Sequence, residues 1–270
     1  MIRPFLKWPG GKFRLLDRIL PHCSTVPARF VEVFAGSCAV YLNVPAKEAL
    51  VNDVNPDLIA LYSCLQKEGE AFARFMQGFF TAENNSKENY LYLRSAFNAG
   101  RDARVRAAIF LYLNRHGYNG LVRYNRKGLF NVPFGRYKTP AFPAKALDDF
   151  LDKLAVTKTR FVCQDFRTVF AGLEKGDVVY CDPPYVPLST TASFTTYSGT
   201  AFTAKDQEDL ARLAEAAYTD RGATVLVSNH DTAHIRTLYK RAHIIPFEVQ
   251  RFISCKERKR APELLAVFRP

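Results

Sequence analysis

A chain of 270 residues with 48% hydrophobic and 24% charged side chains can bury a sizeable core unaided, which excludes a disordered chain and a small disulfide-stapled scaffold. Lys and Arg number 38 against 26 Asp and Glu, and the resulting formal charge of +12 favours a polyanionic partner, either nucleic acid or an acidic membrane surface. The six cysteines are scattered with no C-x-x-C pair, so neither a structural zinc site nor a disulfide framework is expected, and no other metal site is.

The segment Met1 to Lys12 lacks the apolar stretch of a signal peptide, and no apolar run reaches the roughly 18 residues of a membrane span. The expectation is a cytoplasmic protein without a membrane partner, whose positive charge meets nucleic acid. Within the first segment, Phe5-Leu6-Lys7-Trp8-Pro9-Gly10-Gly11-Lys12 sets a glycine pair between two lysines and the only Trp. Such a turn can hold a charged ligand; a Pro-Gly-Gly turn at a chain end is the plainer alternative.

Phe30 to Phe34 then reads as a buried parallel strand, running into a turn at Gly36 and a helix start. A glycine there permits close backbone approach by a ligand, as in a weakened dinucleotide-binding turn, or serves only the turn itself. Asp53 follows the short strand Ala49-Leu50-Val51, where an acid can bind ribose hydroxyls or cap the next helix. No G-x-x-x-x-G-K-[ST] pattern occurs, so a P-loop ATPase is not supported. Helical patterns cover Asp57 to Gln66, Val105 to Asn114 and Lys205 to Tyr218, and further strand-like runs cover Val178 to Cys181 and Thr224 to Ser228. Strands alternating with helices predict an α/β domain with a mainly parallel sheet.

The middle of the chain differs. From Arg94 to Lys138 ten basic residues face one acid, Asp102, and the aromatics Phe97, Tyr112, Tyr118, Tyr124, Phe130, Phe134 and Tyr137 are interleaved with them. Residues 114–136 are also rich in Asn and Gly, as a loop or hairpin would be. A mostly helical insert over residues 56–144, with a basic β-hairpin at about 118–138, is therefore expected to interrupt a catalytic domain made of residues 1–55 and 145–270.

Asp182-Pro183-Pro184-Tyr185 directly follows the strand Val178 to Cys181. Paired prolines cannot continue a central strand, so the tetrad should sit at the carboxyl edge of the sheet, where open α/β folds bind ligands. The Asp182 carboxylate and the Pro183 carbonyl can accept both hydrogens of an aromatic amine, and Tyr185 offers a face for a base. A plain Asp-Pro turn with an aromatic plug is the alternative.

In this order the motifs resemble the DNA adenine methyltransferase family, and in particular its Dam branch. That family carries K-W-x-G-G-K, F-x-G, an acid after the second strand, a recognition insert and D-P-P-Y. Leu113 to Asn125, Phe130 to Lys138 and Ser228-Asn229-His230-Asp231 resemble it as well, so the likeness runs from about Phe5 to Phe268. Two departures stand out: Cys38 where the family has a second glycine, and a short basic tail, Cys255 to Arg260. The resemblance implies a Rossmann-like S-adenosylmethionine-dependent methyltransferase sheet, and methyl transfer to N6 of a flipped adenine in GATC, on double-stranded DNA. A monomer suffices for that reaction, and no obligate protein partner is evident. The resemblance places the methyl donor against Trp8, Gly10, Lys12, Phe34, Gly36, Asp53, Asp165 and Asp182. Catalysis falls to Asp182, Pro183, Pro184 and Tyr185. For DNA it implies Arg123 and Lys7 on guanines, Leu121 and Pro133 on a thymine methyl, Tyr118 beside the flipped base, with Asn119 and Tyr137 on the same hairpin. Arg94, Arg115, Asn125, Asn131 and Lys138 would hold phosphates. Methylation of cytosine carbon 5 is disfavoured because no Pro-Cys pair occurs; protein glutamine methylation would resemble N-P-P-Y; a non-catalytic DNA-binding module would not need an intact Asp182.

Overall fold

The computed structural model describes residues 1–23, 26–185, 202–252 and 258–269. After the short helix α1 (Leu16–Ile19), the strands β1 (Arg29–Glu32) and β2 (Glu48–Asn52) lead into four helices, α2 (Pro56–Glu68), α3 (Glu70–Gln77), α4 (Lys87–Ala99) and α5 (Ala103–His116). An irregular stretch then leads to α6 (Ala144–Val156), β3 (Lys158–Val162), α7 (Phe166–Ala171), β4 (Val178–Cys181), α8 (Ala204–Arg221), β5 (Thr224–His230), α9 (Ala233–Leu238), β6 (His243–Phe252) and β7 (Arg258–Phe268).

The seven strands form one sheet in the order β3-β2-β1-β4-β5-β7-β6. Neighbours from β3 to β5 pair in parallel, and β7 runs antiparallel between β5 and β6. This is the doubly wound order of a Rossmann-like sheet with one reversed strand added, as expected. Strand order turns back between β1 and β4, so the crevice that such sheets use for ligands opens at the carboxyl ends of those two strands.

Alternation along the strands divides the interior into two cores. Phe30, Val51, Val178, Tyr180, Leu226 and Leu265 face one side, against Leu58 and Tyr62 of α2, Phe110 of α5 and Phe150 of α6. Val31, Val179, Cys181, Val225, Val227 and Ala266 face the other, against Phe166, Leu210, Ala214 and Tyr239. The first core continues through Phe72, Tyr90, Phe97 and Tyr112 to Phe130 and Val132. Each such ring contributes about 1.5–3 kcal/mol by burial. The irregular stretch is thus fastened to the sheet by the same apolar continuum that the helices share.

Local chemistry sets the helix starts. Asn55 accepts from the Asp57 and Leu58 N–H groups ahead of α2, where Pro56 occupies the first turn. Asp102 caps α5, and Thr203 with Asp206 forms a capping box on α8, which Gly222 ends in the left-handed conformation. Of the basic tail, Cys255, Lys256 and Glu257 lie outside the described residues, while Arg258, Lys259 and Arg260 open β7.

Candidate active site and nucleic-acid face

β1 ends at Glu32, two residues earlier than the apolar run suggests, and residues 35–38 turn sharply. Gly36 takes φ +47°, donates its N–H to Asp53 Oδ2 at 2.9 Å and accepts from the Tyr62 hydroxyl at 2.6 Å. A Cβ at Gly36 would stand 2.7 Å from Trp8 Nε1, so only glycine lets the indole lie on this turn. Cys38 takes φ +60° while fully buried. It occupies the position where the family glycine would adopt that conformation freely, and an L-residue there carries about 1–2 kcal/mol of strain. The departure therefore preserves the turn and adds a packed side chain.

Asp53 also caps its own turn, accepting from Asn55 N at 2.9 Å, and burial pushes its carboxyl above the usual range against those N–H donors. Asn52 ties the ends of β1 and β3 together through the Val33 and Gln164 carbonyls. The Phe34 ring leans on Phe166 with centroids 5.7 Å apart. Asp165 reaches the same sheet edge, where its carboxylate caps α7 and pairs with Arg167, which also binds Asp206 and Asp209.

Asp182 follows β4 at the neighbouring strand end. Lys12 Nζ lies 2.7 Å from its Oδ1 and 2.8 Å from its Oδ2, and also donates to the Gly10 carbonyl at 2.9 Å. Lys12 is 6% exposed. Burial pushes the Asp182 carboxyl up and the Lys12 ammonium opposes that shift. The same ammonium stands 5.1 Å from the centre of the Tyr185 ring, whose hydroxyl donates to Glu263 at 3.3 Å and whose face meets His230 at 4.2 Å. The Pro184 carbonyl accepts from Gln207 Nε2 at 3.2 Å, and Gln207 in turn accepts from Asn229 at 3.0 Å. This buried relay explains the Ser228-Asn229-His230 motif: it holds the tetrad's backbone. Gln207 and Glu263 had no motif around them and were not expected from the sequence.

Half-buried carboxylates, an aromatic ring and a glycine turn open to close approach suit a ligand with a positive sulfonium, an amino-acid part, ribose hydroxyls and a base. The residues present fit S-adenosylmethionine. Trp8, Gly10, Lys12, Phe34, Gly36, Asp53 and Asp182 converge on the crevice between β1 and β4, with Asp165 at its β3 margin.

The second expected surface is built differently. The stretch after α5 doubles back through isolated bridges, Gly117 with Phe134 and Tyr124 with Phe130, and bonds from Tyr118 N to Pro133 O, Asn125 N to Leu129 O and Asn131 N to Arg123 O. A hairpin exists here without continuous strands, because side chains supply the missing rungs. Asn98 exchanges two hydrogen bonds with the Phe130 backbone, at 2.8 and 3.0 Å. The Tyr90 hydroxyl and the Arg94 guanidinium both donate to Val132 O.

The basic residues separate into two groups. Arg104 pairs with Glu68 and Arg106 with Asp57, and Arg115 donates to the Phe5 and Ala141 carbonyls with its buried Nε unpartnered. Arg126, Lys127, Arg136 and Lys138 are exposed on the hairpin. Arg123 is oriented by Asn131, through Nε to Oδ1 at 2.7 Å and Nη2 to the carbonyl at 3.2 Å. Asn125 accepts from Lys127 N and Leu129 N, shaping the tip. Tyr118, Asn119 and Pro133 are exposed, Leu121 is half-buried, and the Tyr137 hydroxyl accepts from Asn119 N at 2.9 Å. Lys7 sits against this hairpin, its Nζ 4.2 Å from the Tyr137 ring centre. No metal-ligating cluster occurs among the described residues, and no described helix is long and apolar enough to cross a membrane.

Known proteins resemble the chain along nearly its whole length. The chain is 46% identical to a DNA adenine methylase of Vibrio cholerae serotype O1 and 43% identical to that of Escherichia coli strain K12, each across 99% of this chain and 96% of the relative. Among solved structures, a precorrin 8W decarboxylase of Methanobacterium thermoautotrophicum superimposes with a TM-score of 0.44 at 11% identity, covering 99% of both chains. A precorrin-6y C5,15-methyltransferase of Geobacter metallireducens gives 0.42 at 7%, covering 100% of this chain and 93% of that one. The profile of the D12 class N6 adenine-specific DNA methyltransferases matches residues 8–253, and with such relatives across nearly its whole length the chain belongs to that family and is a DNA adenine-N6 methyltransferase.

Proposed function

We propose that this enzyme methylates a flipped adenine within GATC, with the crevice between β1 and β4 holding both the methyl donor and the base. The observation that carries the proposal is the convergence at one sheet edge of Asp182 and its prolines with the Gly36 turn, Asp53 and Trp8. S-adenosylmethionine, the methyl donor, supplies an electrophilic methyl group on a sulfonium. The chain's own residues bind and orient. Asp182 and the Pro183 carbonyl accept the two hydrogens of the adenine amine, which frees its lone pair, and Tyr185 stacks on the ring. Pro184, fixed through Gln207 and Asn229, keeps that pair in place. Lys12 holds the Asp182 carboxylate, so charge at this edge is balanced before the base arrives. The amine becomes acidic only after methylation, so Asp182 need not act as a strong base. Most of the acceleration then comes from alignment.

On the DNA side, residues 56–144 act as the recognition part. Arg123 reads a guanine in the geometry that Asn131 sets, and Lys7 reads a second one. Leu121 and Pro133 meet a thymine methyl, Tyr118 and Asn119 stand exposed at the foot of the hairpin beside the vacated base position, and Tyr137 backs Lys7. Lys138, with Arg94, Asn125 and Asn131 on and beside the hairpin, lines the backbone track, whereas Arg115 is spent on the Phe5 and Ala141 carbonyls and is not a phosphate contact. A single copy in the cytoplasm completes the reaction on one strand at a time.

The test is methyl transfer from labelled S-adenosylmethionine to two duplexes that differ only in carrying GATC or GTAC. Transfer to the first alone is expected. Equal transfer to both discards the sequence assignment and leaves the methyltransferase standing.

A further inference from the structure

At the end of α5, Asn114 is completely buried and its side-chain amide is fully engaged. Its Oδ1 accepts from the Lys7 N–H at 2.9 Å, and its Nδ2 donates to the Lys7 carbonyl at 2.7 Å and to the Gly120 carbonyl at 3.0 Å. The amide thus pairs with Lys7 as the peptide of a neighbouring strand would, and its spare hydrogen takes in the hairpin turn. No other residue type places one acceptor and two donors at this reach: Asp has no donor, and an apolar residue strands three backbone groups.

The joint closes on itself. Gly120 takes φ +63°, and a Cβ there would collide with the Lys7 side chain. Lys7 Nζ donates to the Arg115 carbonyl at 3.3 Å and lies over the Tyr137 ring, and the Tyr137 hydroxyl accepts from Asn119, next to Gly120. One residue beyond Lys7, Trp8 rests on the Gly36 turn, and Lys12 holds Asp182. Six residues of chain therefore link the hairpin to the catalytic edge, and Asn114 is the fastening at the hairpin end.

We propose that Asn114 is a positioning residue for sequence discrimination: it sets the register of Lys7 against the hairpin turn, so selectivity at the base that Lys7 reads depends on a side chain that is itself buried. This rests on the reading of Lys7 as a base-contacting residue. An interior amide that merely stabilised the fold would lower methylation of every sequence alike. A positioning amide lowers discrimination at one base.

The experiment measures kcat/KM of the full-length enzyme on its preferred tetranucleotide and on each single-base variant of it. The proteins are wild type, Asn114→Ala, Lys7→Ala and the double variant. Asn114→Ala is expected to lose about 10-fold in discrimination, the size of one base contact, at the same position as Lys7→Ala. The double variant is expected to lose no more than Lys7→Ala alone. Gly120→Ala pushes into the Lys7 stem from the hairpin side, and is expected to affect that same base if Asn114→Ala does not fold. A uniform loss across all sites in Asn114→Ala, with a selective loss in Lys7→Ala, overturns the proposal and leaves the Lys7 reading intact. A Lys7→Ala enzyme that discriminates normally at every position overturns both.

Discussion

The catalytic edge and the recognition hairpin solve the same problem, holding polar groups in place, by opposite means. At the edge, β1, β2, β3 and β4 deliver Glu32, Asp53, Asp165 and Asp182 to one line because the parallel ladder fixes where each strand ends. The acids gather there with one ammonium, Lys12, on Asp182. At the hairpin there is almost no ladder, and amides, a hydroxyl and guanidinium groups stand in for it: Asn98, Asn114, Asn131, Tyr90 and Arg94 all bond to backbone or to an arginine. A ladder transmits position rigidly and is indifferent to side-chain identity. A side-chain-built hairpin leaves its shape open to variation at the cost that single substitutions disturb it.

The sharpest way to separate the two regions is Asp182→Ala. Turnover should fall by at least about 100-fold, the usual loss on removing one group that holds the reacting centre, while DNA affinity stays within a few-fold. Parallel loss of binding in a gel-shift assay would mean that the edge and the hairpin are not separable. Arg123→Ala should do the converse, costing about 1–3 kcal/mol and relaxing sequence choice at one position. If affinity for all sequences dropped equally, the arginine would be a backbone contact.

The regions should also respond to pH with opposite sign. Burial pushes the Glu32 carboxyl up to about 8, against the Tyr41 N–H that it accepts. Its unfolded value is near 4.5, so its contribution to stability is fully present below that pH and lost as pH rises towards 8. Burial pushes His116, beneath the hairpin, down to about 4 from 6.5. Its contribution is present above 6.5 and lost as pH falls towards 4. One proton corresponds to a slope of about 1.4 kcal/mol per pH unit. Chemical denaturation between pH 6.5 and 8 should show stability falling in the wild type and a flatter profile in Glu32→Gln. An unchanged slope in that variant would assign the titration elsewhere. The smallest effect is expected from Lys138→Ala: a uniform weakening of all DNA, with the salt slope reduced by about 1. An unchanged slope would take Lys138 off the phosphate track.

Much of this protein is written locally. The run Val178 to Cys181 followed by two prolines dictates a strand that stops, and apolar alternation dictates that Val178 and Val179 enter different cores. The glycine at position 36 and the acid at position 53 mark their turns for the same reason, since each is a backbone requirement within a few residues. The cap of α2 is Asn55, two residues beyond the Asp53 that the sequence offered for that role. Sequence also supplied the basic, aromatic character of residues 94–138, though it could not divide that charge. Arg104 and Arg106 are bound to Glu68 and Asp57, partners 36 and 49 residues away, whereas Arg126 and Lys138 are exposed.

Tertiary structure alone decided which distant groups meet. Lys12 and Asp182 are 170 residues apart, Tyr185 and Glu263 are 78, and Lys7 and Asn114 are 107. Nothing in the neighbourhood of Gln207 or Glu263 marks them, because their roles come from the strand order that lays β7 beside β5 and α8 against the tetrad. The same applies to Cys38: that it replaces a glycine was legible, whereas its left-handed backbone and complete burial were fixed by the turn between Ala35 and Leu42. Hydrophobic period and turn chemistry act over a few residues and so are carried by the sequence itself. Pairing of charges and amides across the sheet edge depends on strand order and register, which only the packed chain sets.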